Sequence, residues 1–186
     1  MPEFENSDSF SMLGSKVTKT CFEWIEMIAQ SLVVVVFVLA FFFRIFTVNG
    51  TSMRDTLHHG DKVIVRRINY VPSDGEIVVI RSYKDMGKPI IKRVIATENQ
   101  SISIKDGKVF VDNKEISEPY TKELAITTEG DYEIPSKVPE SHSFVMGDNR
   151  TNSTDSRFGA VGMVDNKYIV GKAFFIYFPF FRIKPL

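Results

Sequence analysis

Three short segments hold side chains that can do nucleophilic chemistry. Gly50-Thr51-Ser52-Met53-Arg54-Asp55-Thr56-Leu57 offers a serine, Lys92-Arg93-Val94 places a lysine inside an apolar run, and Gly147-Asp148-Asn149-Arg150-Thr151-Asn152-Ser153-Thr154-Asp155-Ser156-Arg157 crowds hydroxyls, carboxylates and guanidinium groups together. A serine hydroxyl attacks a carbonyl only with a base in hydrogen-bond reach. A free lysine, with a pKa of about 10.4, is protonated at neutral pH. Burial penalises the ammonium and can lower that value by up to ~3–5 units. Ile90, Ile91, Val94 and Ile95 flank Lys92. In a strand, Ile90 and Val94 share its face, so that face must be apolar if Lys92 is to act as a base. Taken singly the segments say little. A Ser-Met pair is common, a strand lysine is usually solvated, and GDNR can be an ordinary turn.

Other chemistries have less support. His58, His59 and His142 lie outside all three segments and form no cluster at metal-ligand spacing. No metal or cofactor is expected. Cys21 is the one cysteine and cannot form an internal disulfide. The chain has no net charge. Residues before Thr47 carry −2, which leaves about +2 beyond, too little to suggest nucleic acid.

The elements that must position these groups read as β from residue 61 onward. Lys62–Val65, Glu76–Ile80, Ile90–Ile95, Ser101–Ile104, Lys108–Val111, Ser143–Met146 and Ile169–Tyr177 are short runs rich in β-branched and aromatic residues, broken by turn residues. Asp106-Gly107 between two of them is a hairpin signal. Residues 117–141, rich in Ser, Thr, Glu and Pro, read as a mobile loop excursion. Near the C-terminus, residues 173–181 hold six aromatics in nine positions. With Pro179 inside, this run is too short for a helical span and suits a core strand with some contact at a membrane interface.

Ahead of the β region, residues 31–43 hold no charge. Extension to Trp24 and Phe46 gives roughly the 20 residues needed to span a bilayer. A buried core helix or a cleaved secretory signal are the rival readings of this stretch. Residues 1–15 are polar and aperiodic and read as disordered. The arrangement is therefore a mainly β, antiparallel domain behind one N-terminal transmembrane helix, joined by a stalk of about six residues.

In this order, behind an N-terminal anchor, the three segments resemble the type I signal peptidases. The resemblance runs from about residue 31 to 181 and includes Gly60-Asp61 and Phe178-Pro179. The third segment meets the pattern G-D-N-R-x-x-S-x-D-S-R at each of its eight fixed positions. The resemblance implies a membrane-anchored serine endopeptidase that removes signal peptides from exported precursors. Ser52 would be the nucleophile and Lys92 its general base. Ser153 would orient Lys92, with Arg93, Asp148, Asp155 and Arg157 as a supporting polar network. The N–H of Ser52 would donate to the oxyanion, while Gly50 lacks the hydroxyl that some relatives supply there. It further implies a cytoplasmic tail over residues 1–22, a transmembrane helix over 23–46 and an extracytoplasmic β-rich catalytic domain over 47–186. The protein would then be a single-pass membrane protein whose partners are signal-peptide-bearing precursors and membrane lipid, without nucleic acid.

Two turns depart from the family pattern. Asp55 stands where relatives have proline, three residues after the nucleophile, and Ala96 with Glu98-Asn99-Gln100 replaces a glycine followed by Pro-Gly-Asp. A carboxylate beside Lys92 would hold it protonated, so Asp55 is expected to point away, toward Arg54, Arg66 or solvent. The altered turns suggest a paralogue dedicated to one secreted substrate, such as a pilus subunit. The alternative functions are a non-catalytic, signal-peptidase-like protein that assists such a subunit and a self-cleaving Ser/Lys regulator, though the latter class carries a DNA-binding head.

Overall fold

The computed structural model describes residues 6–68, 70–81, 87–121 and 126–186, with side chains from residue 18 onward. Contacts divide the chain into two units, residues 1–42 and 43–186.

The first unit is a single helix, α1, over Asn6–Phe42. Residues 6–15, expected to be disordered, are helical, because Ser, Met, Leu and Lys continue the helix without a proline to stop it. Residues 1–5 of that expectation lie outside the described part. From Thr18 to Phe42 the helix is long and apolar enough to cross a membrane, and its side chains are exposed throughout. It ends four residues earlier than the span read to Phe46. Phe43–Thr47 is instead strand β1, because this aromatic and β-branched stretch finds a backbone partner in β2 (Lys62–Arg66), with Phe43 opposite Arg66 and Thr47 opposite Lys62. No six-residue stalk intervenes.

The second unit is built on an antiparallel sheet. Its further strands are β3 (Ile77–Ile80), β4 (Ile90–Thr97), β8 (His142–Met146), β9 (Val164–Asp165), β10 (Ile169–Phe178) and β11 (Lys184–Pro185). The order is β1-β2-β10-β3-β4-β8-β9, with β11 on β10. A smaller sheet joins β5 (Ile102–Lys105), β6 (Lys108–Val111) and β7 (Lys114–Glu115). Asp106 and Gly107 both take positive φ in the β5–β6 turn, as a tight hairpin requires.

β4 is the central strand for function. It pairs with β3 on one side and β8 on the other, and six of its eight residues are buried. Ile90 and Val94 belong to one apolar cluster with Val78, Val145 and Val164. Val78 stands directly opposite Lys92 in the register. The face of β4 that carries Lys92 is thus apolar, as the alternation predicts.

The excursion over residues 117–141 is pinned at several points. Val138 is buried in the cluster of the smaller sheet, Thr127 donates its N–H to Gly107 O at 3.1 Å, and Glu118 pairs with Arg150. Residues 122–125 lie outside the described part. In the C-terminal aromatic run, Ala173 and Ile176 are core, whereas Phe178, Phe180 and Phe181 are exposed.

Candidate active site

Ser52 sits on a loop between β1 and β2. The loop is closed at its base by Val48 N–H to Asp61 O at 2.8 Å and Gly60 N–H to Val48 O at 2.9 Å. Met53 and Leu57 plug it into the core and are 2% and 0% exposed. Losing a plug of that size costs roughly 2–5 kcal/mol, so two of them fix the loop firmly on the sheet. Thr56 and Leu57 both donate their N–H groups to Met53 O, making one tight turn. Asp55 lies at the outside of that turn with φ of +91°. It is exposed, it makes no ion pair among the described residues, and it is not among the charges that act on Lys92. The expectation that it points away from Lys92 holds.

The segment after β8 is laid against this loop. Asn149 donates its N–H to Ser52 O at 3.0 Å and its side-chain amide to Thr51 O at 3.1 Å. Asn152 donates to Thr51 Oγ1 at 3.0 Å. The approach is close enough that a Cβ on Gly147 would fall within 3.0 Å of both Ser52 O and Ser153 Oγ. Glycine is required there by space rather than by φ. Its missing side chain is what lets Ser52 and Ser153 lie side by side.

Lys92 is 3% exposed, and its Nζ donates to Ser153 Oγ at 2.9 Å. Burial pushes its pKa down to about 8. Asp155 and Asp148 pull it up, and Arg157 pushes it further down. The Asp155 carboxyl is held below the usual carboxylate range. Burial alone would raise it, but hydrogen bonds from Arg157, Gly147 N–H and Ser153 outweigh burial.

The rest of the polar network is buried and paired. Arg93 grips Asp148 with two nitrogens, at 2.8 and 2.7 Å. Thr56 Oγ1 donates to the same carboxylate at 2.5 Å, which ties the serine loop to the motif segment. Arg157 grips Asp155 at 2.8 and 2.9 Å and donates to Arg150 O at 2.9 Å. Among the described residues no buried side-chain nitrogen or oxygen is left without a partner, which is the condition for such a network to rigidify rather than destabilise. A cleft runs beside Ser52, lined among others by Phe46, Val48, Asn49, Met53, Lys88 and Ile91.

All seven residues singled out from the sequence are therefore in or around one site. Sequence reasoning missed the clasp made by Thr51, Thr56, Asn149 and Asn152. It also missed Tyr120, whose ring lies 3.9 Å from the Arg93 guanidinium, and Glu118, which joins Arg150. Asn149 is a fixed position of the motif and carried that signal, whereas Asn152 falls at one of its unspecified positions. Thr56, Glu118 and Tyr120 carried none.

A serine on a braced turn, tied by Asn149 to the segment whose Ser153 takes a hydrogen bond from a buried amine of lowered pKa, is an arrangement compatible with serine hydrolase chemistry. The family comparison places it further. Residues 21–178 match the model of the signal peptidase family, peptidase S26, and this chain belongs to that family. Signal peptidase I of Bacillus licheniformis is 36% identical over 173 residues, which are 88% of this chain and 91% of that one. Signal peptidase I T of Bacillus subtilis is 33% identical over 97% of this chain and 96% of its own. A crystal structure of a signal peptidase I from Enterococcus faecalis, 24% identical, covers 55% of this chain and 96% of its own with a TM-score of 0.48.

Proposed function

We propose that this protein is a type I signal peptidase, a serine endopeptidase that removes N-terminal signal peptides from exported precursors, with Ser52 as nucleophile and Lys92 as general base. The observation that carries the assignment of the base is the burial of Lys92, which brings its pKa to about 8. About a tenth of the molecules then hold a neutral amine at pH 7, against a few in ten thousand for an exposed lysine.

The hydrogen bonds favour a definite role for each group. Ser153 accepts an N–H from Lys92 and is itself bonded to Asp155. The lone pair of the neutral amine is thereby left for the Ser52 proton. Ser52 Oγ bonds to the scissile carbonyl carbon as its proton passes to Lys92 Nζ. The carbonyl oxygen takes the negative charge beside the Ser52 N–H. The C–N bond then breaks, Lys92 returns the proton to the leaving amine, and the signal peptide stays esterified to Ser52. Water, losing a proton to Lys92, adds to the ester carbonyl carbon; the bond to Ser52 Oγ breaks, Ser52 Oγ takes the proton back from Lys92, and the signal peptide leaves with a free carboxyl terminus. Arg93, Asp148, Asp155 and Arg157 touch none of the reacting atoms in this scheme and hold the frame. The cleft mixes apolar walls (Phe46, Val48, Met53, Ile91) with polar ones (Thr47, Asn49), which suits an extended peptide with small side chains, bound as an added strand.

The exposed apolar helix Thr18–Phe42 supports a single-pass membrane protein, and in this reading the chain ahead of that helix is a cytoplasmic tail. The β-rich catalytic domain would then lie on the extracytoplasmic side, where precursors emerge.

The test is cleavage of a detergent-solubilised preprotein by the native chain, Ser52→Ala and Lys92→Ala. The native chain should cut after a small residue, with a rate that rises through a midpoint near pH 8, and both variants should be inactive. Cleavage by Ser52→Ala at the native rate would refute the assignment.

A further inference from the structure

The family model matches the chain as far as residue 178, and the residues after that stretch reach back to the serine loop. After β10, Phe180–Arg182 form one 3-10 turn. Phe180 and Phe181 are 78% and 87% exposed, while the side chain of Arg182 is only 20% exposed. Arg182 Nε donates to Asp61 Oδ1 at 3.1 Å, and its Nη2 to Asp61 Oδ2 at 3.1 Å. The same Nη2 reaches the carbonyl of Thr56 at 3.4 Å.

Asp61 is the closing residue of the loop. Its carboxylate accepts the N–H of His58 at 2.8 Å, and its backbone carbonyl accepts the N–H of Val48. At 2% exposure this carboxylate has almost no water to solvate it, so a cation must compensate it. A guanidinium compensates the charge and also fixes the plane of the carboxylate through its fork. Thr56 is held from two sides. Its carbonyl takes Arg182, and its hydroxyl takes Asp148, which is gripped by Arg93 next to Lys92.

We infer that Arg182 is a positioning residue for Ser52, supplied from the C-terminal turn after β10 to lock the 48–61 loop against the strand that carries Lys92. The inference rests on Ser52 and Lys92 being the reacting pair. Nucleophile and base must meet within a few tenths of an ångström, and a displacement of about 1 Å can cost ~100-fold in rate.

The experiment compares the native full-length chain in detergent with Arg182→Gln and Arg182→Lys on one preprotein, with kcat, KM and the pH profile measured for each. Arg182→Gln should lower kcat by about 10-fold or more and raise KM by less than that, because the alignment of Ser52 with Lys92 tolerates less displacement than the cleft walls that Val48 and Met53 of the same loop supply. The pH midpoint should stay near 8, because the surroundings of Lys92 are untouched. Arg182→Lys keeps the charge without the fork and should fall between the two. Millimolar guanidinium ion should restore part of the Arg182→Gln rate. Equal kcat per folded molecule in all three proteins, or a loss that only follows the unfolded fraction, would overturn the inference. Should Arg182→Gln not fold, Arg182→Lys decides by the same readouts. A native chain that cannot cut would instead sink the peptidase reading itself.

Discussion

Replacing Lys92 by methionine should abolish cleavage and stabilise the fold. The two side chains have similar length and shape, so packing is largely conserved. What changes is the cost of a buried ammonium. Burial lowers the pKa of Lys92 from 10.5 to about 8 in the folded state. The gap corresponds to about 3 kcal/mol at ~1.4 kcal/mol per unit. Below pH 8 the lysine is protonated in both states, and the fold carries the whole penalty. Between pH 8 and 10.5 the folded state has released a proton that the unfolded chain still binds, so stability rises with pH. Above 10.5 both states are neutral and the penalty is gone. Methionine never carries it, but it forfeits the hydrogen bond to Ser153, worth about 1 kcal/mol. The net gain at pH 7 is then about 2 kcal/mol, or roughly 4–8 °C in melting temperature for a domain of this size. Thermal unfolding of the full chain in detergent, followed by near-ultraviolet circular dichroism at pH 7, 8, 9 and 10, reads this directly. A Lys92→Met protein less stable than the native one at pH 7, or a gap that does not shrink as pH rises, would refute the claim that burial is what tunes this amine.

Two further outcomes follow from local geometry. Gly147→Ala should cut the cleavage rate by ~100-fold or more while far-ultraviolet circular dichroism stays native, because the new methyl group must push apart Ser52 O and Ser153 Oγ; a near-native rate would show that the two serines need not be adjacent. Asp55→Pro, which installs the residue usual in the family, should destabilise the chain by about 3 kcal/mol in denaturant unfolding, since proline cannot adopt φ of +91°. Asp55→Gly should instead gain about 1 kcal/mol, and a proline variant as stable as the native chain would contradict a positive φ at position 55.

Much of the β domain was legible because strand signals are local. Alternation and turn residues located β2, β3, β4, β5, β6, β8 and β10 to within a residue or two, and Asp106-Gly107 marked its hairpin. The apolar helix ends at Phe42 rather than at Phe46 because Ile45 and Phe46 suit a bilayer and a strand equally well. The choice fell to the partner that β2 offers, almost twenty residues downstream. The short strands β7, β9 and β11 escaped for a related reason. They hold two residues each and exist only as edges of longer strands.

The chemical inventory of the site was also in the sequence. Ser52, the motif from Gly147 to Arg157 and the apolar neighbours of Lys92 are consecutive residues, and consecutive residues carry their own spacing. Whether Lys92 is a base or a solvated strand lysine was not in that spacing. It depends on β3 and β8 covering both edges of β4, and on Asp155 and Arg157 arriving from the far side with opposing charges. Thr56 meets Asp148 across 92 positions, and Arg182 meets Asp61 across 121. Neither pair has a local signature, because threonine, aspartate and arginine are ordinary surface residues until the sheet closes over them. Local sequence set which groups were present and which way each strand faced. The burial that lowers a pKa, and the long-range bonds that hold a loop in place, came only from the way the strands pack.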